Sequence, residues 1–117
     1  MPHTTRLSES VVTTEVFDKL PIVQESTTSR VLVNNALLRQ VTFSMDAGQI
    51  LTEHASSRAV VVTILGGRMV FTVSGTAHTV TAGDSIFLAP NERHAVEALE
   101  PSRMSLTLVR ADGGEER

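Results

Sequence analysis

The stretch GQILTEHASSRAVVVTILGG, residues 48–67, decides the fold. Its second half, residues 59–65, is an unbroken aliphatic and β-branched run of strand length. A run without alternation is the pattern of a strand buried on both faces. Gly66-Gly67 closes it, and Asp46-Ala47-Gly48 opens the whole stretch with turn residues. The first half, residues 50–56, reads as extended chain leading into that strand.

The same rhythm continues on either side. Downstream, the segments 69–73, 78–81, 85–89, 94–99 and 104–110 are strand-like, separated by Ser74-Gly75, Ala82-Gly83-Asp84 and Pro90-Asn91-Glu92-Arg93. Upstream, residues 30–33 and 38–45 flank Asn34-Asn35, whose side chains tolerate the positive φ of a tight hairpin. Along 38–45, Arg39, Val41, Phe43 and Met45 share one face and Leu38, Gln40, Thr42 and Ser44 the other. Eight or nine short strands with at most one helical turn indicate an all-β barrel or sandwich.

A length of 117 residues fits one core. Three segments are expected: an N-terminal arm over residues 1–28 that packs on the barrel, the barrel over 29–110, and a flexible tail over 111–117. Hydrophobic residues at 41% and charged residues at 20% are ordinary globular usage, so the barrel region is expected to fold. The net charge is -3 and the basic residues are scattered, which removes the basic stripe that nucleic-acid binding needs. Cysteine is absent, excluding disulfides, zinc ribbons and a thiol nucleophile. No segment has the length of a membrane span, and the first ten residues lack a signal-peptide core, so a cytoplasmic protein is expected. With no Trp or Tyr and four Phe, a ligand pocket is aliphatic and polar rather than an aromatic floor. No catalytic triad, phosphate loop or heptad pattern can be read from the spacing.

Residues 48–67 and 83–94 together resemble the cupin superfamily, in particular its small single-domain members. The first cupin motif is a glycine, five residues, His-x-His, three or four residues, a glutamate, six residues and a glycine. Gly48, His54 and Gly67 fit it, while Ser56 stands at the second histidine and Val60 at the glutamate. In the second motif Gly83-Asp84, Pro90 and His94 match, and Ala98 stands where the family has an asparagine. The resemblance implies a cupin-type double-stranded β-helix, or jelly-roll, barrel. It also implies a lumen in which three histidines and a glutamate commonly hold iron, manganese, nickel or zinc.

Carried over residue by residue, only His54 and His94 match ligand positions. Serine is a poor ligand for these ions and valine is none, so affinity falls with each lost donor. Glu53 lies next to His54 but on the opposite strand face, and Glu92 lies in a turn. The expectation is therefore a barrel that binds a small molecule in a pocket of His54, Ser56, Val60, His94 and Arg58, without a tightly held metal. In this reading Arg58 meets a ligand carboxylate. The alternative is a metal-dependent cupin enzyme of the dioxygenase or isomerase type, with a weakly bound divalent ion on His54 and His94. Whether the chain is an enzyme stays open between them. His78 reads as a surface residue of a hairpin and His3 as part of the N-terminal arm. Gly48, Gly67 and Gly83 are backbone residues at turns. The apolar outer face implied by residues 59–65 makes a homodimer the expected assembly.

Overall fold

The computed structural model describes residues 4–111. Nine strands follow a single short helix, α1 (Val16–Lys19): β1 (Thr27–Asn34), β2 (Leu38–Met45), β3 (Ile50–His54), β4 (Ala59–Gly66), β5 (Arg68–Val73), β6 (Thr76–Thr81), β7 (Ser85–Leu88), β8 (His94–Ala98) and β9 (Ser102–Val109). The tail expected from residue 111 onward lies outside the described residues beyond Ala111, as does His3.

The strands form two antiparallel sheets, one ordered β1-β2-β9-β4-β7 and the other β3-β8-β5-β6. Strands distant in sequence thus lie side by side, as in a jelly roll. The two inner faces share one core, in which Met45, Val60, Val62, Ile64 and Met104 from the first sheet meet Met69, Phe71, Val96 and Ala98 from the second.

In β4, burial alternates. Val60, Val62 and Ile64 are inside, whereas Val61 and Leu65 lie on the exposed outer face. The apolar run therefore does not mark burial on both faces within one chain. Its outer face continues onto Phe87, the cross-strand partner of Val61, and onto Val109, which pairs with Ala59.

β2 is covered on both sides by a different device. Val41 and Met45 face the core, and the opposite face carries Thr42 and Ser44, which are also buried. The chain before β1 crosses that outer face: the Ser44 hydroxyl donates to the Leu20 carbonyl at 2.7 Å, and Leu20 is buried. Arg103, paired with Ser44 across β2 and β9, holds the crossing from the other side. Its guanidinium lies 4.3 Å from the Phe17 ring centre and donates to the Ser44 hydroxyl and to the carbonyls of Phe17 and Leu20.

Candidate functional site

At one end of the barrel β3 ends and β8 begins, and here His54 and His94 are direct cross-strand partners. Strand alternation alone does not put them together. Leu51 pairs with Val96, and both face inward; a regular antiparallel ladder would then bring Glu53, not His54, opposite His94. A β-bulge between Leu51 and His54 inserts one residue and corrects the parity. His54 thus takes the inward position, while the Glu53 carboxylate turns to Arg93 at 3.4 Å.

The two imidazoles lie with ring centres 4.2 Å apart and planes inclined at 61°. His94 is buried and His54 exposed, so the pair runs from the barrel interior to its rim. The Phe71 ring lies nearly parallel to His94, 6.0 Å away, and forms the apolar floor. Both rings are held in the same way. Nδ1 of His54 bonds the carbonyl of Thr52 at 2.8 Å, and Nδ1 of His94 bonds the carbonyl of Glu92 at 2.9 Å. A carbonyl can only accept, so each Nδ1 carries the hydrogen and each neutral ring keeps its lone pair on Nε2.

The loops around the pair are tied to one another. The backbone N–H of Asn91 donates to the Ser56 carbonyl at 2.6 Å, that of Ser74 donates to the Arg93 carbonyl at 2.8 Å, and the Ser74 hydroxyl bonds the Glu92 carboxylate. Glu53, His54, Ala55 and Arg93 line a cavity of about 290 Å³ at this mouth.

Of the other residues expected at the site, Ser56 lies on the loop leaving His54, and its hydroxyl accepts the Arg58 N–H at 3.1 Å. Val60 is 2% exposed and belongs to the core. Arg58 is half-buried and lines a separate cavity with Ser57, Arg110 and Ala111. The structure thus brings His54 and His94 together and places Arg58 elsewhere on the rim.

His78 is an exposed residue of β6, next to the β5–β6 hairpin, in agreement with the sequence reading. It pairs with Phe71 across β5 and β6, and with Phe71, Val73, Val80 and Ile86 it borders a cavity of about 360 Å³ between the edges of β6 and β7. It shares a strand face with Val80, two residues on, so its side chain lies at the open edge of that cavity.

The donor set converging at the mouth is two imidazoles. Among the described residues no cluster of three His, Asp or Glu side chains is placed to hold a metal ion. The position matching the family's glutamate is a core valine, and Ser56 is engaged in its own loop. These residues do not fit a tightly held resident metal, which uses three or more protein ligands. Among the described residues no helix is long and apolar enough to cross a membrane.

The protein is similar to several of known structure. A conserved protein of unknown function from Streptococcus pyogenes shares 28% identity at a TM-score of 0.78, with 99% of this chain and 98% of that one covered. A cupin 2 conserved barrel domain protein from Leptotrichia buccalis shares 30% identity at a TM-score of 0.76, covering 80% of this chain and 45% of the other. KdgF from a Halomonas species, at 21% identity and a TM-score of 0.67 over 78% of this chain and 86% of its own, shares the fold. No curated protein matches the sequence. The profile of the Cupin domain family matches residues 41–110, more than half of the chain, a span that includes both His54 and His94. With that match, the nine-strand jelly roll and the paired histidines at its mouth, the chain belongs to the cupin family.

Proposed function

We propose that this cupin binds a small organic molecule at the mouth of its barrel through His54 and His94, without a tightly held metal. The observation that carries this reading is the shared anchoring of the two rings. With both Nδ1–H groups donating to backbone carbonyls, neutral rings whose centres lie 4.2 Å apart offer two Nε2 acceptors that cannot satisfy each other. A molecule that brings N–H or O–H donors completes them. The same proposal includes a homodimer, supported by the apolar outer face of Val61, Phe87 and Val109 on adjacent strands.

Native mass spectrometry of the purified protein, with a ligand-observed NMR screen of a metabolite library, tests the reading. Bound molecules are expected to shift the Cε1–H signals of His54 and His94, and His54→Ala and His94→Ala are expected to abolish binding. Elemental analysis runs beside it. Stoichiometric iron, manganese, nickel or zinc that disappears in His54→Ala would overturn the metal-free reading in favour of a metal-dependent cupin enzyme.

A further inference from the structure

Arg58 carries an anomaly. Its Nη1 is shielded from solvent and has no hydrogen-bond partner among the described residues. None of the ion pairs among those residues, Arg6–Glu9, Arg68–Glu100 and Arg93–Glu53, involves it. A guanidinium nitrogen withdrawn from water without an acceptor is costly, and native proteins seldom leave one so.

Its place in the fold points to what is missing. Ala59 pairs with Val109, and one further step along that register sets Arg58 beside Arg110. Val60, two residues further on, packs in the core, so alternation aims Arg58 inward at the barrel end, while Arg110 is exposed beyond the end of β9 and its Nη1 donates to the Ala36 carbonyl at 3.4 Å. This is the end at which β3 and β7 finish and β4 and β8 begin, the end that holds His54 and His94. Ser57, Arg58, Arg110 and Ala111 border a cavity of about 330 Å³, ample for a carboxylate or phosphate group. A guanidinium fork matches the paired oxygens of either anion.

We infer that Arg58 forms an oxyanion subsite at the mouth, and that the molecule recognised there is an organic acid or organic phosphate. This inference rests on the reading of the mouth as a small-molecule site and adds the charge of its ligand. The anion has two sources to distinguish: an external molecule, as inferred, or the acidic residues Asp112, Glu115 and Glu116 that follow in the sequence.

The full-length protein is titrated with malonate, with inorganic phosphate and with malonamide, the neutral isostere of malonate. NMR follows the Arg58 Nε–H and the His54 and His94 Cε1–H signals. Saturable shifts at Arg58 are expected with at least one anion and not with malonamide, together with shifts at the histidines. Arg58→Met is expected to weaken anion binding about tenfold or more. It should melt at or above the wild-type temperature without anion, which separates lost binding from lost folding. Neutralising the tail by D112N, E115Q and E116Q together should leave anion affinity unchanged or improve it. The inference is overturned if no anion saturates Arg58, if Arg58→Met binds as well as wild type, or if tail neutralisation alone moves the Arg58 signal as anion addition does. Malonamide shifting the histidines while Arg58 stays silent under every probe would also overturn it, leaving the mouth reading intact. Anion binding at Arg58 that is unchanged in His54→Ala and His94→Ala would support the oxyanion subsite and remove the imidazoles from the ligand site.

Discussion

Gly67 shows how much one residue can fix. Its φ of +82° lies in the left-handed region, and a Cβ there would press on the Pro101 carbonyl and the Ser102 side chain, with the Ser102 Cα at 2.7 Å. Both penalties act at once, so Gly67→Ala is expected to destabilise the protein by about 2–5 kcal/mol, read as a lower urea midpoint with unchanged m-value. Ser102 is the other half of this contact. Its buried hydroxyl accepts the Arg68 N–H at 3.1 Å and donates to the Glu100 carbonyl at 2.7 Å, joining the β4–β5 turn to the start of β9. The motif spacing marks Gly67 as a turn glycine, and its positive φ agrees. The approach of residues 101–102 lies 34 positions away from Arg68 in the chain and leaves no local sign. Val60 is legible in type but not in role: it matches a ligand position in the motif, yet the neighbouring core side chains close around it.

Among the elements, β3 decides the chemistry of the mouth. Exchanging its last two residues, Glu53→His with His54→Glu, keeps composition and charge. It is expected to retain the fold while losing the contact between the two imidazoles. An inter-ring NOE between His54 and His94 in wild type, with none to His94 from the imidazole moved to position 53 in the exchanged variant, checks this; such an NOE in the variant would show that the bulge does not control which side chain faces in. The crossing that carries α1 is clamped by Arg103 as well as by the Ser44–Leu20 hydrogen bond. Arg103→Ala removes the contact with Phe17 and the hydrogen bonds to Ser44, Phe17 and Leu20. A loss of about 1–3 kcal/mol is expected, with faster amide exchange concentrated in residues 16–20. Strand positions could be read from β-branched runs and turn residues because both are local properties. The bulge could not, since one extra residue between Leu51 and His54 leaves the hydrophobic pattern almost unchanged and is visible only against its partner strand. The exposed position of His78 in β6, by contrast, follows from the adjacent Ser74-Gly75 turn, which is a local signal.

For the molecule as a whole, the open question of surface is the outer face of β4, β7 and β9. Phe87 is 66% exposed there beside Val61. The proposed homodimer covers this face, so wild type is expected to sediment as a dimer and Phe87→Asp as a monomer with near-native circular dichroism. A wild type that stays monomeric across the concentration range would remove the homodimer. The run over 59–65 signalled an apolar strand, but sequence alone could not separate burial within a chain from burial between chains. Alternating burial in β4 shows that the single chain covers one face only.

The bulge in β3 has a consequence at the level of register rather than residue type. Sliding residues 52–54 by one place into the regular ladder would set the Glu53 carboxylate against His94, expel His54 from the mouth and dissolve the Glu53–Arg93 ion pair in the same step. The same residues would thus build two chemically different mouths in the two registers, one pairing base with base and the other acid with base, and the extra residue between Leu51 and His54 selects the first.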